Sequence, residues 1–193
     1  ITNTTNLGLT KSLNIALAQA QGHFIARMDA DDIALPKRLE KQLDFLVSHP
    51  DVGVVGTAYE WIDQQGDVIG RPMVLTDSND LHRMLPRTNS ILHSSVLMRR
   101  GLLNRVHGYD EAYRRAQDYD LWLRLAPLTK LANLSEVLTQ KRFTKTMVSF
   151  ASERAQLRFA VRARLAALKR GDSPWWAVIF VLKPFTASLL PMR

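Results

Sequence analysis

The chain has 193 residues, with 26 Lys and Arg against 18 Asp and Glu, five His and no Cys. That length allows one sizeable core. The lack of Cys excludes a disulfide framework and a thiolate metal site, and His23, His49, His82, His93 and His107 are not spaced as zinc ligands. The charge is uneven. Residues 1–140 carry 15 basic and 16 acidic side chains, whereas residues 141–193 carry 11 and 2. A neutral head with a basic tail points to an anionic partner such as a membrane surface or a phosphorylated substrate. The tail lacks the interleaved aromatics of a base-stacking platform, so nucleic acid is not expected.

Taken in order, Asn6-Leu7-Gly8-Leu9 reads as a turn. Thr10 is placed to cap a helix with Leu13, Ala16, Leu17 and Ala20 on one face, ended by Gly22. His23–Met28 reads as a short buried strand. It runs into Asp29-Ala30-Asp31-Asp32, three carboxylates in four residues. A helix from Pro36 is expected to bury Leu39, Leu43, Leu46 and Val47, with Lys37, Arg38, Glu40, Lys41 and Asp44 largely outside. Residues 51–56 and 57–63 read as two strands, with a hairpin through Gln64-Gln65-Gly66-Asp67 to 68–74. A capped helix at 76–85, a strand at 90–99, a brief helix at 101–106 and a charged loop at 109–115 follow. A helix at 118–126 faces Leu121, Trp122 and Leu125 inward, and strands are expected at 130–134 and 137–143. Such alternation predicts an α/β domain. Beyond it, residues 149–170 read as a helix with Leu157, Val161, Leu165 and Leu168 as its apolar stripe. Gly171 to Pro174 breaks it before WWAVIFVL. That apolar run is too short to span a bilayer, which needs about 20 residues. A basic helix beside two Trp fits either a membrane interface or a helical pair packed on the domain.

The acid cluster concentrates negative charge that water, helix capping or a hard divalent cation could compensate. A strand that delivers acids to a loop before a helix is the way open α/β sheets build ligand sites. The spacing does not fit an EF-hand.

A series of motifs then resembles one family. Asn6-x-Gly8-Leu9, Asn14, Gly22, FIARMDADD, Pro36-x-Arg38-Leu39-Glu40-x-Gln42 and VGVVG are followed by Leu92-His93-Ser94-Ser95-Val96, Gly108-Tyr109-Asp110-Glu111 and AQDYDLWLR. In this order, over residues 3–143, they resemble the bacterial family 2 glycosyltransferases. The resemblance implies a GT-A type fold, a Rossmann-like mixed sheet flanked by helices, here with a C-terminal helical extension. The implied division is a partial GT-A domain at 1–145 and a basic amphipathic extension at 146–193.

It also implies inverting transfer of a sugar from a UDP-, GDP- or dTDP-sugar to a glycan or lipid-linked hydroxyl. Asp29-Ala30-Asp31 matches the family's DxD, where Mg²⁺ or Mn²⁺ bridges carboxylate and diphosphate. Asp31 is the first choice as direct ligand, Asp29 a second ligand or a holder of sugar or ribose, and Asp32 a cap. Asp118 matches the catalytic base, although Gln117 stands where many members have Glu. Arg115 beside it is a candidate for the donor's phosphates. His93 is read as a contact to diphosphate or metal, or as a satisfied half-buried histidine. The implied setting is surface-polysaccharide synthesis at the cytoplasmic face of the inner membrane, with peripheral contact through 150–190. Ile1 opens in mid-pattern and the family's N-terminal nucleotide-binding unit is not in the sequence. An N-terminally truncated fragment, inactive alone, is therefore expected. Two rivals stand beside this reading: a non-catalytic membrane- or anion-binding module, and a metal-dependent phosphohydrolase.

Overall fold

The structure, a computed structural model, describes residues 1–143 and 153–181. Contacts divide the chain into two compact units that interleave along the sequence. One comprises residues 22–102 and 129–147; the other comprises 1–21, 103–128 and 148–193.

The first unit is built on a mixed sheet. Its strands are β1 (Phe24–Ala26), β2 (Ile33–Ala34), β3 (Val52–Ile62), β4 (Val68–Gly70), β5 (Leu97–Arg99) and β6 (Lys130–Arg142). Their order is β1-β5-β3-β6-β2, with β4 paired to β3 off this path. β3 and β6 run parallel, from Val52 opposite Lys130 to Ile62 opposite Arg142; the other pairings are antiparallel. Each of these two long strands joins a pair of shorter expected ones, because the register shifts around Ala58 absorb the break in periodicity without ending the ladder. β1 is shorter than expected. It lies at the sheet edge, half-buried rather than buried, which is why Ala26 is exposed. β2 was not anticipated. Two residues leave too short a pattern to recognise.

Helix α2 (Arg38–Ser48) corrects the expected stripe. Its buried residues are Arg38, Gln42 and Leu46, whereas Leu39, Leu43 and Val47 are 54%, 40% and 68% exposed. The apolar side chains suggested one face, but polar ones occupy the inner face because the strand ends below offer backbone groups to bond. Gln42 Nε2 donates to the carbonyls of Val55 and Ser95 at 2.8 and 2.7 Å. Leu46, Val52, Val55, Leu97 and Ala132 form the core beneath, with Phe24, Phe45 and Leu134 against it. At Gly56 the β3 backbone passes so close that a Cβ would lie 2.2 Å from Asn133 Oδ1.

The hairpin after β3 forms, but its second strand, expected over 68–74, stops at Gly70; the turn is closed by Asp63 Oδ1, which accepts from the amides of Gln65, Gly66 and Asp67 at 2.9 Å. Helix α3 (Ser78–Met84) is capped by Asp77, whose carboxylate accepts from Asn79 and Asp80. The expected strand at 90–99 contracts to β5, preceded by a 3₁₀ turn at His93–Ser95. Helix α4 (Arg100–Arg105) leads into the other unit.

That second unit is helical. In α1 (Leu9–Gln19) the N-cap is Gly8, at φ 79°, and not Thr10. Thr10 is instead inside the helix and buried, with its hydroxyl donating to the Tyr113 carbonyl at 2.6 Å. Ala16 is exposed and the helix stops before Gly22. Helix α5 (Gln117–Leu125) buries Leu121, Trp122 and Leu125 as expected, and Tyr119, Asp120 and Leu123 as well.

In α6 (Glu153–Arg170) the inward face is Val161, Ala163, Arg164 and Ala167; of the expected stripe only Val161 is buried, and Leu165 is 41% exposed. Alanines on that face permit close approach to α5. They also leave room for Arg164, whose Nε donates to the Tyr119 hydroxyl at 3.0 Å. A 3₁₀ turn follows at Trp175–Val178. The expected helix start at 149–152 and the segment 182–190 lie outside the described residues. Among the described residues no helix is long and apolar enough to cross a membrane.

Candidate functional site

β1 delivers Asp29 and Asp31 to the loop at its C-terminal end, and the two carboxylates have different surroundings. Asp29 is half-buried and held from three sides. Arg27 pairs with its Oδ1, Ser94 Oγ donates to its Oδ2 at 2.7 Å, and Lys141 Nζ lies 3.9 Å from Oδ2. Burial pushes its carboxyl up, but Arg27, Ser94 and Lys141 together outweigh that and keep it below the ordinary value. Asp29 is thus a fixed anion at neutral pH. Asp31 is exposed.

The loop is clasped from β6. Arg142 Nε donates to the Asp31 carbonyl at 3.0 Å, and its Nη1 to the carbonyls of Asp63 and Gln64 at 2.6 and 3.1 Å. The Arg142 amide donates to Asp32 Oδ1 at 3.0 Å. Asp32 is therefore a buried tie to β6 rather than a cap. The clasp fixes the backbone on either side of the Asp31 carboxylate without occupying it.

Two buried guanidinium groups, those of Arg27 and Arg38, lie beside this loop. Arg27 is 7% exposed and also donates to Ser94 Oγ at 3.0 Å. Arg38, expected outside, is 3% exposed and donates from Nη2 to the Arg27 carbonyl at 3.0 Å. Burial lowers its guanidinium to about 10, with Asp32 opposing and Arg27 adding to the shift. His93 is buried rather than half-buried. Desolvation, then Arg27 and Lys141, push its imidazole well below the usual range, so it is neutral at pH 7. A neutral imidazole can bond to a ligand without adding charge.

Among the described residues no group of three or more His, Cys, Asp or Glu is placed to hold a metal. Two carboxylates suit a hard dication only when further oxygens, such as those of a diphosphate, complete its shell. The chemistry of the donor set fits such an ion, with Asp31 presented to solvent and Asp29 largely committed to the protein.

The other candidates lie in the second unit. Asp118 is half-buried in the first turn of α5. Its N-cap is Ala116, in the left-handed region at φ 53° and without a side-chain cap, and Asp118 and Asp120 are the acidic residues of the first turn. Asp120, one turn position on, is 1% exposed. It accepts from Arg124 Nε at 2.8 Å, and Arg124 Nη1 also donates to the carbonyls of Val106 and Gly108. That carboxylate braces the helix against the preceding loop. Arg115 lines a cavity of about 680 Å³ with Asn6, Gly8, Lys11, Glu111 and Arg114.

Arg99 is structural, bonding the carbonyls of Val52 and Leu46. Trp122 is core, at 0% exposure. The sequence reading missed Arg27, Ser94, Lys141 and Arg142 as partners of the acid loop. Arg27 alone carried a signal: a charged residue between the apolar Phe24-Ile25-Ala26 and Met28 has to find a partner if it is buried.

A mixed sheet with carboxylates at the end of a short strand defines an α/β protein with an acidic loop, and solved structures share this fold. TarS of Staphylococcus aureus in complex with UDP-GlcNAc superposes with a TM-score of 0.64 at 17% identity, covering 83% of this chain and 46% of that one. The mannosyltransferase PcManGT of Pyrobaculum calidifontis, in complex with GDP-Man and Mn²⁺, gives 0.63 at 17% identity, covering 100% and 58%. The expected GT-A architecture is thus borne out. Residues 1–106 match the profile of glycosyl transferase family 2, and the chain belongs to that family. The amylovoran biosynthesis glycosyltransferase AmsE of Erwinia amylovora is 37% identical over 145 residues, 75% of this chain and 54% of its own length. The chain therefore spans about half the length of such relatives.

Proposed function

We propose that the protein is an inverting glycosyltransferase. It moves a sugar from a nucleoside-diphosphate donor to an acceptor hydroxyl in cell-surface polysaccharide synthesis. The observation that carries this reading is the contrast within the DxD: one carboxylate held by Arg27, Ser94 and Lys141, the other turned to solvent on a clasped loop. Family membership and the polysaccharide pathway named for AmsE support it. Asp31, with Asp29 behind it, would hold Mg²⁺ or Mn²⁺, in keeping with the Mn²⁺ complex of PcManGT. A bound cation would offset charge on the departing diphosphate. Asp118 takes the proton of the attacking hydroxyl, and Arg115 faces donor phosphate.

The protein as the cell produces it, given UDP-, GDP- and dTDP-sugars, is expected to release nucleoside diphosphate with Mn²⁺ or Mg²⁺ and to stop when EDTA is added. Release that persists in EDTA, or none from any donor, would overturn the reading.

A second reading adds peripheral membrane contact. It is favoured by Trp175 at 83% and Ile179 at 57% exposure beside a helix whose Arg158 and Lys169 face solvent. Cosedimentation with vesicles containing phosphatidylglycerol is expected to fall several-fold in Trp175→Ser. Equal binding by both forms would remove this contact.

A further inference from the structure

The sheet carries an aromatic row that nothing above uses. Tyr59 and Trp61, two apart on β3, share a face with Thr139 and Lys141, their register partners on β6. Phe143 continues that face just beyond β6, held by its amide donating to the Ile62 carbonyl at 2.7 Å. The Tyr59 and Trp61 rings meet at 5.6 Å and 79°, and those of Trp61 and Phe143 at 5.8 Å and 90°. All three side chains are half-buried, so each keeps part of its surface in water.

Two features keep the row open and rigid. Gly70 stands opposite Trp61 on β4. A Cβ there would approach the indole Cδ1 to 3.8 Å, and any longer side chain would cover that edge. On the opposite face Glu60, 5% exposed, accepts from Gln140 Nε2 and Arg71 Nε, each at 2.8 Å. It ties β3, β6 and the segment after β4 together. The row is also continuous with the acid loop through Lys141, which shares the face of Trp61 and reaches to 3.9 Å from Asp29.

We propose that Trp61, with Tyr59 and Phe143 set edge-to-face at its sides, is the stacking platform for a pyranose ring of the acceptor glycan, in a row running toward the DxD loop. A pyranose has a face of C–H groups, slightly positive, and a rim of hydroxyls. The C–H face matches the negative face of an aromatic ring, and the rim needs polar groups around it. The Tyr59 hydroxyl and the Lys141 ammonium supply those groups. A lipid chain would gain nothing from the charged end of the row. The proposal rests on the sugar-transfer reading and names its acceptor side.

The test is saturation-transfer NMR on the protein as the cell produces it, with the methyl pyranosides of glucose, galactose, mannose and N-acetylglucosamine as probes. At least one glycoside is expected to receive saturation at its ring C–H protons. Its affinity should fall roughly tenfold in Trp61→Ala, equivalent to about 1.4 kcal/mol, and be largely kept in Trp61→Phe. Tyr59→Ala gives a second reading should Trp61→Ala fail to fold, and is expected to weaken the same glycoside. No saturation with any pyranoside, or equal affinity in folded Trp61→Ala and Tyr59→Ala, would overturn the platform. Binding of Mn²⁺ and nucleoside diphosphate, measured in parallel, keeps the two ideas apart. Glycoside binding without donor binding would sink the transferase and leave the platform, and the converse would do the reverse.

Discussion

Replacing Asp118 by Asn is expected to lower transfer roughly 10²- to 10⁴-fold, the range over which a positioned base contributes. Asn keeps the size and a hydrogen-bonding oxygen but cannot accept a proton at neutral pH. Donor binding, measured by calorimetry with Mn²⁺, should stay within about twofold, since an effect confined to the transition state leaves ground-state binding alone. The contrast is Asp120→Asn. Asp120 is buried against Arg124, which also holds the carbonyls of Val106 and Gly108. Removing that charge leaves a largely buried guanidinium without its partner, and should cost stability, about 3 kcal/mol, before it costs chemistry. A melting curve beside the kinetic assay separates the two. Asp118→Asn should lose transfer far out of proportion to any change in its melting temperature. If the two variants behave alike in both assays, Asp118 is not the base.

How much of this was legible in the sequence depended on the scale of the feature. The alternation of strands and helices sufficed for the α/β class, and the turn at Gln64–Asp67 for the β3–β4 hairpin, because turn chemistry is local. The acid loop was legible as a carboxylate cluster. What surrounds it was not: Ser94 lies 65 residues from Asp29 and Arg142 lies 111 from Asp31, and only the sheet order brings them together. The error at α2 has a similar origin. Periodicity finds an apolar stripe and assumes it faces inward, but Arg38 and Gln42 had carbonyls to satisfy below and Leu39, Leu43 and Val47 were left outside. In α6 the expected stripe did not include Arg164, and its pairing with Tyr119 could be found only once α5 was packed beside it.

The DxD itself invites the sharper pair of substitutions. Asp31→Ala is expected to reduce metal-dependent release about three orders of magnitude, from the several kcal/mol of charge stabilisation that a bound cation contributes. It should leave the melting temperature close to that of the parent, because Asp31 is exposed and the Arg142 clasp grips its carbonyl rather than its carboxylate. Asp29→Ala should behave otherwise. It deprives Arg27, 7% exposed, of its ion pair, and leaves Ser94 and Lys141 facing a cavity. A loss of about 1–3 kcal/mol is expected, read as a lower midpoint in urea, with activity falling as a consequence. Mn²⁺ binding followed by electron paramagnetic resonance, with UDP or GDP present, distinguishes the roles directly. Asp31→Ala should free the ion at concentrations that saturate the parent, and folded Asp29→Ala should retain part of it. If both variants lose the metal equally while only Asp31→Ala stays stable, Asp29 is a ligand as well as a brace, and the Arg27 contact must open when the donor arrives. If neither loses it, the acid loop is not the metal site, and the carboxylates serve only to seat the basic cluster around them.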